Sequence, residues 1–231
     1  MLGRTEIYLV VTEVNMPLTI LDYMALENAV ITLQYSFMET YAKNEIEKKY
    51  QRDIEYSLLN GLLTGDELSK AARMLKLKDT AQYCVVSFHT ISSNSEDYYT
   101  KEELEEIGVI EGEIQRLLPD EHIYRNLNQI VCIHEIKPGE TQAGFREEME
   151  KLYQTVQKQI FHRNKTTDFQ IGIGSIVNGY GDLKKSFKDS KKIIDYMDML
   201  RYLYGDKNIS VADFSKLGFF QIFEKSKIVM N

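Results

Sequence analysis

The chain reads as an α+β fold, and three observations predict it. From residue 82 onward, apolar runs of strand length alternate with amphipathic helical stretches in the order strand, helix, hairpin of two strands, helix, strand, helix, strand. The central pair, His122 to Leu127 and Ile130 to Lys137, is joined across Asn128-Gln129, which makes the core of the sheet antiparallel. Ahead of this unit, Leu21 to Leu59 contains no proline and no glycine, so one long helix can form there.

Taken in order, Thr5 to Val11 is a strand, with Ile7, Leu9 and Val11 on one face and Tyr8 and Val10 on the other. A strand is not stable alone, so it either joins a sheet later in this chain or is the tail of a domain lying upstream. Pro17 precedes Thr19-x-x-Asp22, a helix start with an acid in the first turn. The helix that follows would be about 55–60 Å long. Leu26, Val30, Leu33 and Phe37 have the alternating four-and-three spacing of a coiled-coil seam and are the candidate dimerisation residues. The seam weakens through Thr40, Asn44 and Glu47, and Tyr50, Ile54 and Leu58 resume it at four-residue steps that drift around the helix. Two packing faces result, one for a partner protomer and one for the following domain. A helix buried wholly within one subunit is the alternative reading.

Gly61 and Gly65 close the long helix, and Thr64-x-x-Glu67 has the form of a capping box for a short helix on Leu68, Ala71, Ala72 and Leu75. Gln82 to His89 is nearly continuous in apolar residues, as a central strand is. Thr100-x-x-Glu103 starts a helix on Leu104, Ile107, Ile110, Ile114 and Leu117. After the hairpin, residues 142–162 form a helix with Phe145, Met149, Leu152, Val156 and Ile160 inside. Phe169 to Ser175 is a strand, Asp182 to Tyr204 a helix, and Ile209 to Phe214 a last short strand. The domain organisation expected is 1–19 as an upstream tail or linker strand, 20–78 as a linker and dimerisation segment, and 79–231 as the α+β domain.

Bulk properties exclude several functions. A net charge of −7 and a pI near 5.3 argue against this chain gripping nucleic acid by itself. No apolar run approaches the roughly 20 residues that span a bilayer, and no signal peptide is visible, so no membrane partner is expected and the cytoplasm is. Cys84 and Cys132 fall in strands with no CxxC or Cys/His spacing and read as buried thiols. His89, His122, His134 and His162 show no ligand spacing, so no metal is expected. Gly172-x-Gly174 lacks the third glycine of a dinucleotide fingerprint and reads as a close-packing or bulge position. Lys184, Lys185, Lys188, Lys191 and Lys192 form a basic helix face interrupted by Asp182, Asp189 and Asp195, and Glu102 to Glu106 an acidic one. Both read as solvated.

Asp53 to Gly61, Ala71 to Leu77, Ile171 to Gly174 with Leu183 to Ser190, and Val211 to Gly218 together resemble the degenerate GGDEF-like domain of PucR/CdaR-type bacterial regulators of purine and sugar-diacid catabolism. Asp53-Ile54-Glu55-Tyr56-Ser57-Leu58-Leu59-Asn60-Gly61 is similar to the family's helix end. Ala71-Ala72-Arg73-Met74-Leu75-Lys76-Leu77 resembles its turn into the sheet, with Lys76 in place of the usual glycine. Ile171-Gly172-Ile173-Gly174 with Leu183 to Ser190, and Val211 to Gly218, match further motifs, and Tyr8 to Val11 with Asp22 resembles the linker that leaves the family's sensor domain. The resemblance implies a degenerate GGDEF-like, ferredoxin- or palm-like sheet. It implies a homodimer that relays a signal from an effector whose identity is unknown to a helix-turn-helix DNA-binding segment. No such segment is visible before Asn231, so contact with DNA would come only through an element missing from this chain, which resembles an excised or truncated regulator.

At the hairpin, Asn126-Leu127-Asn128-Gln129-Ile130 stands where a diguanylate cyclase carries Gly-Gly-Asp-Glu-Phe. Amides have the shape of carboxylates without the charge that seats Mg²⁺ against a triphosphate. The first strand, at Val86-Ser87-Phe88-His89-Thr90, also lacks an acid, so phosphoryl transfer would lose its main source of charge stabilisation. No catalytic residue and no cofactor are expected. A nucleotide-binding or residual cyclase-like domain is the alternative reading, though Asn126-Leu127 offers no glycine pair for close approach of phosphates.

Overall fold

The computed structural model describes residues 8–12, 16–91, 100–126, 129–162, 167–205 and 209–218, and the chain forms two compact units, Met1–Gln51 and Arg52–Asn231. The architecture is the α+β one expected, with a long helix ahead of a mixed sheet.

Helix α1 (Ile20–Leu59) runs for 40 residues. Its start is fixed as the sequence suggests. The Thr19 hydroxyl and amide donate to Asp22 Oδ2 at 2.6 and 2.8 Å, which holds the Asp22 carboxyl below the ordinary range. In the first unit, the side chains of α1 are mostly exposed. Tyr8–Thr12 carries no strand, contrary to the strand expected over 5–11 (residues 5–7 lie outside the described residues). The physical reason is that Tyr8, Leu9, Val10 and Val11 are all exposed, so neither face of the alternating stretch is buried.

In the second unit, the last turns of α1 carry Glu55, Leu58 and Leu59 into the core. Gly61, at φ +64°, ends the helix in the left-handed region, with the Leu62 amide donating to the Ser57 carbonyl. Helix α2 (Gly65–Met74) follows. The capping box expected at Thr64 is not formed, because the Thr64 side chain makes no cap bond and only its carbonyl accepts from Glu67. Lys76 then takes φ +54°, the one described non-glycine residue at positive φ.

Strand β1 (Gln82–Ile91) is central, followed by α3 (Lys101–Leu117), whose Thr100–Glu103 capping box is complete. The hairpin is β2 (His122–Asn126) and β3 (Gln129–Glu135), then come α4 (Gln142–His162), β4 (Asp168–Ile173), the short β5 (Val177–Asn178), α5 (Leu183–Asp195), α6 (Met197–Tyr204) and β6 (Val211–Asp213). The sheet order is β2-β3-β1-β4-β6, with β5 on the start of β1. Only the β4–β6 pair is parallel.

Helices α3 and α4 cover one face, burying Ile107, Ile110, Ile114, Phe145, Met149 and Val156 against Val86, Phe88 and Ile171. The other face carries Leu58, Leu59, Ala72, Leu75, Leu183 and Phe187 against Tyr83, Val85, Val131 and Ile133. Gly172 and Gly174 let α5 lie directly on the sheet. A Cβ at Gly174 would sit 2.1 Å from the Ser186 carbonyl oxygen, and one at Gly172 2.3 Å from that of Ser190. The buried serines of α5 close the contact, Ser186 Oγ accepting from the Val85 amide at 2.8 Å and Ser190 Oγ lying 2.8 Å from Ser87 Oγ. The single helix expected over 182–204 is broken at Tyr196, which turns Met197 and Leu200 onto Ala212 and so roofs the last strand.

Candidate functional site

Cross-strand register places the candidate site at the end of the sheet where β1 finishes. Asn126 lies opposite Gln129, Gln129 opposite His89, and His89 opposite Gln170. Directly opposed residues share a sheet face, so four neutral polar residues form one row across β2, β3, β1 and β4. The Asn126–Gln129 pairing departs from the hairpin expected across Asn128-Gln129. Gln129 therefore belongs to a strand. The pairing follows from burial: with Gln129 paired to Asn126, Tyr124 lies opposite Val131 in the core, and a one-residue slip of β2 would turn it to the other face. Leu127 and Asn128 themselves lie outside the described residues.

Burial holds His89 below the ordinary histidine value, against the opposing pull of Asp195, so the imidazole is neutral at pH 7. Gln170, with its amide oxygen towards Arg201, accepts from the guanidinium at 3.0 and 3.2 Å. Arg201 also donates to the Ile209 carbonyl at 2.8 Å and to Asp198 at 2.9 Å. The carboxylates of β4 and β6 have their own donors. Asp168 accepts from the Tyr153 hydroxyl at 2.9 Å and from the Phe169 amide at 2.8 Å. Buried Asp213 accepts from Arg146 at 3.0 Å and caps the turn at Ser215. Among the described residues no group of three or more His, Cys, Asp or Glu is placed to hold a metal ion.

A family model for the GGDEF-like domain matches residues 60–196, more than half of the chain. This chain belongs to the GGDEF-like domain family. No curated protein matches it closely enough to count as a relative. Sequence reading singles out Asn126, Gln129 and Ile130 but not Gln170 or Arg201. Counting strand register outward from the hairpin is the signal that finds Gln170.

A second polar centre sits at the opposite end of the sheet of the GGDEF-like domain. His134 on β3 is 4% exposed and stacks on Phe145 at 4.2 Å. Its Nδ1 lies 2.8 Å from Glu121, in the turn before β2, and its Nε2 3.1 Å from Glu140, in the turn before α4. Burial alone would lower its pKa, but the two carboxylates outweigh burial and hold it above the ordinary value. Cys132 and Cys84 are buried free thiols beside this centre, and burial pushes both well above the usual thiol range, so neither is a nucleophile. Glu121 also lines a cleft of about 290 Å³ with Lys76, Leu77, Tyr83, His122, Glu135 and Lys137.

The candidate dimerisation residues lie in the first unit. Val30, Leu33 and Phe37 are exposed and Leu26 is half-buried. No helix of the described residues is long and apolar enough to cross a membrane.

Proposed function

We propose that this chain is a non-catalytic dimerisation and signal-relay segment of a PucR/CdaR-type bacterial transcriptional regulator. It would couple effector sensing to a DNA-binding element carried elsewhere, in the cytoplasm. The observation that carries the reading is the neutral row Asn126–Gln129–His89–Gln170 on a GGDEF-like domain. Phosphoryl transfer from a nucleoside triphosphate needs anions to seat divalent ions and a cation-rich grip on the phosphates, and this row supplies neither. The seam of Leu26, Val30, Leu33 and Phe37 supports pairing, because apolar side chains at coiled-coil spacing stand in water in a single chain.

Two measurements test this. Incubation with GTP and Mg²⁺ is expected to give no cyclic dinucleotide, and a turnover that vanishes in Gln129→Ala would refute the non-catalytic reading. Sedimentation is expected to show self-association that Leu33→Asp with Phe37→Asp weakens. A native chain that stays monomeric at high concentration would refute pairing.

A further inference from the structure

A two-helix seam leaves much of α1 uncovered. Met24, Ile31 and Met38 recur every seven residues, flanked by Ile20 and Tyr35, and their exposures of 56, 62 and 72% exceed those of the seam. At 3.6 residues per turn this second stripe is centred about 130° from the seam, beyond the reach of one partner helix. The remaining side carries Ala25, Asn28, Ala29, Thr32 and Ser36. Only Asp22 and Glu27 are charged between Ile20 and Met38, whereas Glu39 to Gln51 carries Glu39, Lys43, Glu45, Glu47, Lys48 and Lys49. A helical segment apolar on two faces is one buried between neighbours, and no helix here qualifies to cross a membrane.

Area decides what covers it. With a large side chain offering on the order of 150–200 Å² when fully exposed, the seam supplies roughly 300 Å² per helix and the second stripe about 700 Å². Stable assemblies bury about 800 Å² per partner, so the seam alone falls short, whereas a seam-joined pair offers both of its second stripes to a second pair and so exceeds that value. Both stripes keep heptad spacing over the same turns, so each fits another helix with this same pattern. We infer that the second stripe docks further copies of this chain, and that Ile20–Met38 forms a four-helix bundle built from two of the pairs proposed above. This rests on the pairing reading.

The test is sedimentation equilibrium of the full chain over a hundredfold concentration range, with circular dichroism to verify folding of each variant. The native chain is expected at four times its 26.9 kDa mass, and Ile31→Glu with Met38→Glu at twice that mass. If the double variant loses its fold, Tyr35→Lys, at a side chain 75% exposed, reads the same stripe. A native dimer would overturn the bundle and leave pairing intact. A native monomer would overturn both, and a tetramer unmoved by substitutions in the stripe would place the contact elsewhere and overturn the inference.

Discussion

His134→Gln isolates what the buried imidazole does. Both ring nitrogens face carboxylate oxygens, Nδ1 at 2.8 Å from Glu121 and Nε2 at 3.1 Å from Glu140. Only the imidazolium donates from both nitrogens; a neutral ring leaves one lone pair against a carboxylate. Glu121 and Glu140 have side chains only 16 and 13% exposed, so removing the cation leaves two poorly solvated anions facing an amide. Removing one partner of such a buried ion pair costs about 3–5 kcal/mol. The pH dependence follows from the raised folded-state pKa. The native state holds the proton more tightly than the unfolded chain, so the contribution is fully present below the unfolded value of about 6.5. It is lost as pH rises through the folded value, at up to about 1.4 kcal/mol per pH unit. Urea unfolding of both proteins from pH 5 to 9 should show the stability gap widest in acid and narrowing above pH 6.5. A gap that is constant with pH, or that widens towards alkaline pH, would refute the doubly donating imidazolium.

Two backbone positions give further outcomes. Lys76→Gly should raise the urea midpoint by the equivalent of about 1 kcal/mol, because left-handed backbone costs a side-chain-bearing residue about 1–2 kcal/mol and glycine loses part of that gain as chain entropy; an unchanged or lower midpoint would show that Lys76 repays its strain through a contact. Gly174→Ala should destabilise by about 1–3 kcal/mol or more, since its Cβ meets helix backbone that cannot rotate away. The control is Gly112→Ala, where a Cβ meets nothing within 4 Å in the middle of α3, so the same substitution should stabilise by about 0.5–1 kcal/mol; equal effects at both positions would refute the close-contact account.

Elements whose pattern is local were legible in the sequence. The capping box at Thr100, the helix over 142–162 and the apolar run of β1 each carry their own period and boundary signals, and the structure places them as expected. One local signal failed, the capping box expected at Thr64, whose side chain makes no cap bond; the rest of what failed depended on residues far along the chain. Tyr8 to Val11 has the alternation of a strand but all four residues are exposed, so no face of it is buried. The break at Tyr196 has no proline or glycine to announce it; it is set by the need to roof β6. Gln129 was read as part of the turn, because the register that pairs it with Asn126 is fixed by Tyr124 lying opposite Val131 in the core. The polar row needed that register, so Gln170 and Arg201 were invisible until the strands were aligned. His134 showed only a lack of ligand spacing in the sequence, and its partners, which come from two separate turns, were not legible.

The polar row at the hairpin end of the sheet carries no charge that a cation would have to neutralise. Two or more carboxylates converging on one strand end repel each other and raise the cost of folding unless a metal or a guanidinium neutralises them. Among the described residues that end carries three amides, Asn126, Gln129 and Gln170, and a neutral imidazole, with Arg201 spent on Gln170, Asp198 and a carbonyl. Asp168, at the start of β4, is held by its own donors. Nothing in this row therefore requires an ion for stability. Under the relay reading, a signal must then travel by packing rather than by charge at this end. Backbone contact of α5 with Gly172 and Gly174 makes that interface unable to slide by small amounts, since close-packed backbone has no slack. The elements left with freedom to take two arrangements are those held by side chains alone: the exposed turns of α1 and the turns bridged by His134. A relay requires different ligand or DNA affinities in those arrangements, and these are the elements where substitutions should alter coupling without unfolding the sheet.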